Sequence, residues 1–252
     1  MQNTMISIKN VKKAFNQVNV LNGINLDVAK GESMVVIGGS GTGKSVLLKV
    51  ILGLIPADSG EILLEGQSLS NIGREKFLAR FGMLFQGGAL FDSLTVWQNV
   101  CFRLLRGNNR INSKEAKEIA EQKLKRVGLK PEIADLFPSE LSGGMQKRVG
   151  LARAIASNPE IIFFDEPTTG LDPIMAGVIN NLIREIVVEM GATAITITHD
   201  MISARSIGDK IAMINNGIIQ WNGKITDLEN AQDPYLIQFL NGNSSGPITE
   251  TG

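Results

Sequence analysis

The chain has 252 residues and lacks several features that mark particular protein classes. Cys101 is its only cysteine, which excludes an intrachain disulfide and a thiolate zinc cluster and suits a reducing compartment. The 25 basic residues balance 25 acidic ones, so bulk charge does not indicate a nucleic-acid partner. The start of the chain does not resemble a signal peptide, and the most apolar run contains Lys49 and ends at Pro56, short of a membrane span. We therefore expect a soluble intracellular protein whose membrane role requires a partner.

Strand and helix patterns predict the fold class. Short alternating segments in the first 35 residues are typical of antiparallel strands, and residues 33–39 resemble a buried strand that runs into a glycine-rich turn. Helical patterns dominate residues 91–157, including a charged amphipathic helix that ends at Gly128. Strands and helices alternate again from Glu160, which indicates a parallel sheet wrapped by helices.

These patterns divide the chain into an α/β core and an insertion. We expect the core at residues 1–87 and 158–240, with an antiparallel β region at its N-terminus. A helical subdomain at about 88–157 interrupts it, and a mobile C-terminal tail rich in Gly, Ser and Thr follows at 241–252.

A glycine-rich stretch between the predicted strand and helix matches the phosphate-loop pattern G-x-x-x-x-G-K-[ST]. It consists of Gly38, Gly39, Ser40, Gly41, Thr42, Gly43, Lys44 and Ser45. Glycines let backbone amides surround a phosphate, Lys44 adds a positive charge at the β- and γ-phosphates, and the Ser45 hydroxyl can bind Mg²⁺. An ordinary glycine-rich turn is the alternative, but the flanking strand and helix favour nucleotide binding.

Two carboxylates end the apolar stretch of residues 161–164. An apolar strand delivers its last residues to the edge where open α/β sheets bind ligands. We expect Asp165 to hold Mg²⁺, through water, and Glu166 to face the attacking water as general base. Such a pair is often only a helix cap, and the phosphate loop is what favours the catalytic interpretation.

Residues 141–146, LSGGMQ, form a second glycine-rich helix start. Ser142, Gly143 and Gly144 could cradle a phosphate with bare amides, but no lysine or Mg²⁺ ligand follows directly. In isolation, an ordinary helix N-cap with small residues is the better interpretation.

The phosphate loop, LSGG and FFDEP together resemble the nucleotide-binding subunits of ABC transporters in order and spacing, over roughly residues 5–240. The resemblance implies a P-loop NTPase core and a head-to-tail homodimer with two ATP sites, in which LSGG of one subunit closes over ATP held by the other. It also implies roles for single residues: Phe15 stacks on adenine, Gln86 senses Mg²⁺ and couples to the membrane partner, Asp172 bridges the dimer, and His199, the only histidine, contacts the γ-phosphate. Catalysis is then assigned to Glu166, His199, Gln86 and Lys44, and the metal to Ser45, Gln86 and Asp165.

Two positions depart from that family's pattern. Val46, in the nucleotide site, stands where a second Thr or Ser is usual, so one hydroxyl donor to the α-phosphate is missing, at a cost of about 1 kcal/mol. Met145 replaces the glutamine that usually follows LSGG, which puts a contact in trans to ribose in doubt. Neither change touches Glu166 or His199, so we expect hydrolysis to survive.

Three stretches, residues 83–100, 138–155 and the QFLNG…GPI ending, resemble the ATPase of Mla-type, MCE-associated phospholipid transport systems. That resemblance implies two ATPase copies with two copies of an MlaE-type permease, an MCE-domain lipid-binding protein, in some systems a small STAS-domain protein, and a place on the cytoplasmic face of the inner membrane. The alternatives are an importer ATPase for a small polar solute and a non-transport ATP switch. The latter usually carries two ATP modules or specialised insertions.

The apolar segment at residues 85–100 is divided between the protein and its partner. Gly87 and Gly88 are predicted to form a hinge of the helical subdomain. We expect a groove for a permease helix to be lined by Leu90, Phe91 and Leu94, and an internal helix to begin with Val96, Trp97 and Val100.

Overall fold

Residues 3–106 and 110–248 are described in the computed structural model of the chain. They divide into two units: unit 1 takes the described residues up to Leu78 and from Ile195 on, and unit 2 takes those from Ala79 to Ala194. The strands are β1 (Thr4–Phe15), β2 (Val18–Ala29), β3 (Ser33–Ile37), β4 (Ser59–Leu64), β5 (Gln67–Ser68), β6 (Phe81–Leu84), β7 (Ile161–Asp165), β8 (Thr193–Ile197), β9 (Lys210–Asn215) and β10 (Ile218–Lys224). The helices are α1 (Lys44–Ile51), α2 (Leu69–Ile72), α3 (Arg74–Ala79), α4 (Val96–Val100), α5 (Ser113–Arg126), α6 (Gly143–Ala154), α7 (Pro173–Met190), α8 (Met201–Ile207) and α9 (Pro234–Asn241).

Unit 1 contains the predicted antiparallel β region. Its first sheet has the order β2-β1-β4-β5, with β1 antiparallel to both of its neighbours. Asn16 and Gln17 form the two-residue turn between β1 and β2, both at positive φ, a conformation that Asn tolerates well. Inward-facing residues such as Ile8 and Ile24 are buried, so alternation along these strands reflects one packed face.

The other strands of unit 1 carry the predicted α/β pattern, with neighbours in the order β10-β9-β3-β8. All five residues of β3 are buried, and Val35 lies opposite Ile211 in a parallel pairing with β9. β10 is antiparallel to β9, because Asn216 and Gly217 join them through a tight turn at positive φ.

Unit 2 contains a parallel strand pair and most of the predicted helical segments. β6 and β7 pair in parallel with Leu84 opposite Phe164. α5 ends just before Gly128, which has φ 71, as its sequence predicted. Short 3₁₀ turns at Pro131–Asp135 and Pro138–Glu140 lead into α6.

The α/β fold with an antiparallel N-terminal region is therefore confirmed. The unit boundaries fall near residues 78 and 194, because β6 and β7 group with the helices of unit 2. A separate helical subdomain at 88–157 stays a prediction.

The first part of the predicted tail is attached to α9. The buried Gln238 side chain donates to the carbonyl oxygens of Asn243 and Ile248, each at 3.1 Å, and accepts from the Ile248 amide at 2.7 Å. Residues 249–252 lie outside the described residues, so the mobility of the whole tail stays a prediction. Among the helices of the described residues, none is both long enough and apolar enough to cross a membrane.

Candidate functional site

The phosphate-binding loop joins β3 to α1 in unit 1, and two of its glycines are required by the fold itself. A Cβ atom on Gly38 would lie 2.4 Å from the Ile214 carbonyl oxygen, and one on Gly43 would lie 2.8 Å from the Val20 carbonyl oxygen. Gly43 also has φ 102, which side chains rarely adopt. The two glycines that the motif fixes therefore shape the loop before any ligand binds.

Lys44 begins α1 and folds back over the loop. Its side chain is buried, and its Nζ donates to the Gly38 carbonyl oxygen at 2.8 Å and to that of Gly39 at 2.6 Å. No side chain caps α1 and no acid lies in its first turn, so the positive end of the helix dipole is not neutralised locally. Ser45 is exposed and Val46 is half-buried in that turn. The loop therefore presents an amide-rich, positively charged surface that suits a phosphate.

Phe15, at the end of β1, keeps 44% of its surface exposed. Lys13 Nζ lies 5.4 Å from its ring centroid and donates to Asp58 at 2.6 Å. Asp58 also accepts from the Ala14 amide at 2.7 Å, and the hydrogen bond from Lys13 lowers the pKa of its carboxyl. These contacts fix an exposed aromatic ring with a cation nearby, an arrangement that allows stacking on a planar base.

His199 follows β8 and is exposed. The amide of the preceding Thr198 donates to the Val36 carbonyl oxygen in β3 at 3.2 Å, so β3 and β8 end at the same edge of the sheet. The next residue, Asp200, caps α8 by accepting from the Ile202 amide at 3.0 Å. Unit 1 thus places His199 and the phosphate loop at one edge.

Gln86, Asp165 and Glu166 lie at the carboxyl ends of the two parallel strands of unit 2. Leu84 lies opposite Phe164 at the end of the parallel pairing, so Gln86 and Glu166 follow at the same edge of the pair. Glu166 has φ 47, unusual for a residue with a side chain, and its Oε2 accepts from Thr169 Oγ1 at 3.0 Å. Strained backbone of this kind is common at functional sites. The predicted carboxylates and glutamine therefore share one edge of unit 2.

The LSGG segment forms the start of α6, also in unit 2. Ser142 is the N-cap, and its hydroxyl accepts from the Met145 amide at 3.3 Å. Gly143 does not have positive φ, and a Cβ there would meet nothing within 4 Å. A Cβ on Gly144 would meet only the flexible end of Met175 at 3.0 Å. The chain's own fold therefore requires neither glycine.

The contacts of Asp172 are those of a helix N-cap. It is the N-cap of α7, and its Oδ1 accepts from the amides of Ile174 and Met175, each at 3.0 Å. The same residue is exposed, and Ile174 beside it is 80% exposed. A role across a dimer stays a prediction.

The sequence interpretation missed two cationic side chains of α6. Lys147 is buried and donates to the carbonyl oxygens of Pro167, at 3.0 Å, and Thr169. Burial lowers the pKa of Lys147, and the Glu166 carboxylate opposes that shift. Arg153 donates to the carbonyl oxygens of Gly88, at 2.6 Å, and Ala89, at 2.8 Å, and burial lowers its pKa too. A lysine within the buried stripe 147, 150, 151 and 154 was the available signal.

The Arg153 contacts also bear on the predicted hinge. Both Gly87 and Gly88 have positive φ, but a Cβ on Gly88 would lie 3.0 Å from the Gln146 carbonyl oxygen in α6. A Cβ on Gly87 would meet nothing within 4 Å. Gly88 is therefore packed on α6, and Gly87 has the free space that a hinge requires.

An apolar cavity of about 440 Å³ opens in unit 2. Its lining includes Phe85, Phe91 and Phe102, and the Phe91 and Phe102 rings stack with centroids 4.3 Å apart. Of the three residues predicted to form a groove, Phe91 lines the cavity, whereas Leu90 and Leu94 are half-buried and are not among the described residues that line it. The predicted internal residues Val96 and Val100 are buried, and Trp97 is half-buried.

The donor chemistry of the predicted metal ligands fits Mg²⁺. The described residues hold no group of three or more His, Cys, Asp or Glu side chains that could bind a metal. Ser45, Gln86 and Asp165 instead offer hydroxyl, amide and carboxylate oxygens, the hard ligands that Mg²⁺ uses alongside water and phosphate. Ser45 and Gln86 are exposed and Asp165 is half-buried, so each can reach a ligand.

Comparisons with known proteins agree with this geometry. The family model described as ABC transporter matches residues 21–169. The intermembrane phospholipid transport system ATP-binding protein MlaF of Haemophilus influenzae is 39% identical over 98% of this chain and 94% of its own. A probable ribonucleotide transport ATP-binding protein, mkl, of Mycobacterium leprae is 38% identical over 96% of this chain and 70% of its own. The dimeric ATP-binding cassette MJ0796, solved in a post-hydrolysis state bound to ADP and Pi, aligns with a TM-score of 0.79 and 31% identity over 88% of this chain and 99% of that one.

Proposed function

The chain belongs to the ABC transporter family, and from this premise we propose that it is the ATP-hydrolysing motor of a system that moves phospholipid between membranes of the cell envelope. The match that carries the cargo assignment is the one to MlaF, which extends over 98% of this chain and 94% of that protein. The ribonucleotide named for the mycobacterial relative is the second candidate cargo. It is the weaker candidate, because that match covers only 70% of the relative.

The proposed nucleotide site of unit 1 binds ATP through Phe15 and residues 38–46. Phe15 stacks on adenine, the loop amides surround the phosphates, and Lys44 moves from its carbonyl partners towards the β- and γ-phosphates. His199, at the same edge, contacts the γ-phosphate. The bare positive end of α1 supports this assignment.

Glu166 acts as general base in this proposal. Its carboxylate accepts the proton of the attacking water, and Gln86, which follows the neighbouring strand β6, senses the metal and couples the site to the membrane partner. Ser45, Gln86 and Asp165 would hold Mg²⁺, which when bound would neutralise charge on the phosphates. The hydrogen bond from Thr169 keeps the Glu166 side chain oriented before substrate arrives.

The second half of each ATP site comes from a second copy of the chain. ATPases of this family work as dimers with membrane permeases. Ser142, Gly143 and Gly144 contact the γ-phosphate in trans, and Asp172 lies at the same interface. Support comes from Gly143, a helical glycine that this chain's own packing does not require.

The apolar cavity receives a permease helix, and an exposed aromatic cluster supports that role. An MlaE-type permease and an MCE-domain lipid-binding protein complete the assembly, joined in some systems of this kind by a small STAS-domain protein. The ATPase is peripheral on the cytoplasmic face of the inner membrane. No nucleic acid takes part, in keeping with the balanced charge.

Purification of the tagged chain from detergent-solubilised membranes tests the assembly and the cargo. We expect a complex with a polytopic permease and an MCE-domain protein that transfers labelled phospholipid between liposomes only with ATP. The Glu166→Gln chain, assembled in the same way, is the matched control and should transfer none. ATP-dependent uptake of labelled ribonucleotide without phospholipid transfer would favour the second candidate, and a soluble partner set alone would reject both.

A further inference from the structure

Lys147 is a buried cation whose ammonium donates to the loop that carries the proposed base. It stands one turn into α6 and is only 6% exposed. Its Nζ donates to the carbonyl oxygens of Pro167, at 3.0 Å, and of Thr169. Pro167 follows Glu166 directly in the chain, and Thr169 is three residues after it. The ammonium therefore binds the loop through its backbone.

Burying an ammonium group in order to hold a loop costs free energy. Removing such a group from water costs several kcal/mol unless hydrogen bonds compensate, and an apolar side chain of similar volume often gives equal or greater stability. Packing alone therefore gives no reason for a lysine at this position of the apolar stripe of α6. A donor long enough to reach two carbonyl oxygens at once does give one.

The contacts continue from this loop to the carboxylate. Thr169, whose carbonyl oxygen accepts from Lys147, donates from its Oγ1 to Glu166 Oε2 at 3.0 Å. Its amide also donates to the Glu166 carbonyl oxygen at 3.3 Å. Glu166 itself is at φ 47, a conformation that persists only when neighbouring contacts hold it.

We propose that Lys147 is a positioning residue that holds the Glu166 carboxylate in its working orientation through Thr169. This rests on the proposed role of Glu166 as general base. Lys147 lies four residues after Gly143 on the same helix, about 6 Å along its axis. A phosphate of the second copy's ATP that moves the start of α6 therefore also moves the support of this subunit's base, and so links the two ATP sites of the dimer.

The test replaces the charge and keeps the length of the side chain. Lys147→Met should lower kcat for ATP hydrolysis by the purified full chain about tenfold or more, because small displacements of a reacting group have large effects on rate. The KM for ATP should change less than about twofold, since the phosphate loop belongs to unit 1. Lys123→Met is the matched control: this half-buried lysine, which donates to Asn158 at 2.6 Å, should leave kcat unchanged.

A double-mutant cycle separates positioning from general damage to the fold. In a Glu166→Gln background no base remains to be positioned, so adding Lys147→Met should leave the residual rate within about twofold. An equal loss in both backgrounds, or an unchanged kcat in the single variant, would overturn the proposal. Wild-type turnover by Glu166→Gln itself would instead refute the assigned base, so the two failures are distinguishable.

Thr169→Val tests the same connection if Lys147→Met does not fold. It removes only the hydroxyl that donates to Glu166 and leaves the carbonyl oxygen that Lys147 binds. We expect a lower kcat at unchanged KM, again without effect in the Glu166→Gln background. An unchanged kcat would break the proposed chain of contacts at its last step.

Discussion

Gly143→Ala should make the protein more stable and less active. Gly143 does not have positive φ, it opens α6, and a Cβ there would meet nothing within 4 Å. Alanine therefore adds no clash and restricts the unfolded chain. A change from glycine to alanine inside a helix stabilises a protein by about 0.5–1 kcal/mol. Because Gly143 is the first helical residue, we expect at most that gain. For a chain of this size, 1 kcal/mol raises the unfolding midpoint by about 2–4 °C.

The activity should change in the opposite direction. If the Gly143 backbone approaches a phosphate of the second copy's ATP, an added methyl group keeps the two about 1 Å further apart. A displacement of that size lowers a rate by about 10²-fold. ATP binding to the monomer should not change, because Lys44 and its loop belong to unit 1.

Thermal unfolding, ATP titration and steady-state hydrolysis measure these three quantities on one preparation. Gly177→Ala is the matched control, because Gly177 also lies in a helix, α7, with nothing within 4 Å of a Cβ. It should raise the unfolding midpoint similarly and leave hydrolysis unchanged. Wild-type hydrolysis by Gly143→Ala would refute the close approach and with it the proposed contact in trans.

Three further predictions concern other parts of the chain. Glu166→Gln should lower turnover by about 10²–10⁴-fold while ATP binding and thermal stability persist, since its amide oxygen can still accept from Thr169; rapid turnover would remove the assigned base. Phe91→Asp should abolish co-purification of the permease without affecting ATP binding, whereas Leu90→Asp, outside the cavity lining, should have a smaller effect; equal losses would contradict the cavity as docking site. Burial raises the pKa of the Cys101 thiol to about 11. Above pH 9 this thiol therefore loses its proton in the unfolded state before it does so in the folded state, and the free energy of unfolding decreases as pH rises. Urea unfolding should show a loss of about 1 kcal/mol between pH 8 and pH 10 in the wild type that Cys101→Ala lacks, and parallel curves would contradict it.

Local signals in the sequence predicted much of the fold and of the candidate site. The phosphate loop was predictable because its residues form one short motif between one strand and one helix. The contacts that require glycine at positions 38 and 43 come from the distant residues Ile214 and Val20 and were not predictable. The end of α5 at Gly128 and the acids after β7 follow from the same kind of local pattern. The hairpin of β9 and β10 was also open to prediction, because Asn216-Gly217 is a strong turn signal.

Contacts between distant parts of the chain were not predictable in this way. Arg153 binds the carbonyl oxygens of Gly88 and Ala89, which precede it by 65 and 64 residues. The residues of the tail that Gln238 binds look mobile by composition alone, because nothing in their sequence specifies that contact. Each of these side chains binds backbone groups, which nearly every residue has and which therefore leave no signal in the sequence.

Helix α6 connects the three parts of unit 2 that the proposed cycle uses. Its first turn carries Gly143, its second holds the loop after Glu166 through Lys147, and its last residues hold Gly88 through Arg153. From Gly143 to Arg153 the helix is about 15 Å long, so one continuous helix axis connects these three contacts. Gly88 precedes Ala89, which lines the apolar cavity together with Arg153. In the proposed cycle, a phosphate that displaces the start of α6 would displace the support of the base and the wall of the cavity together, and so would couple ATP closure to permease movement.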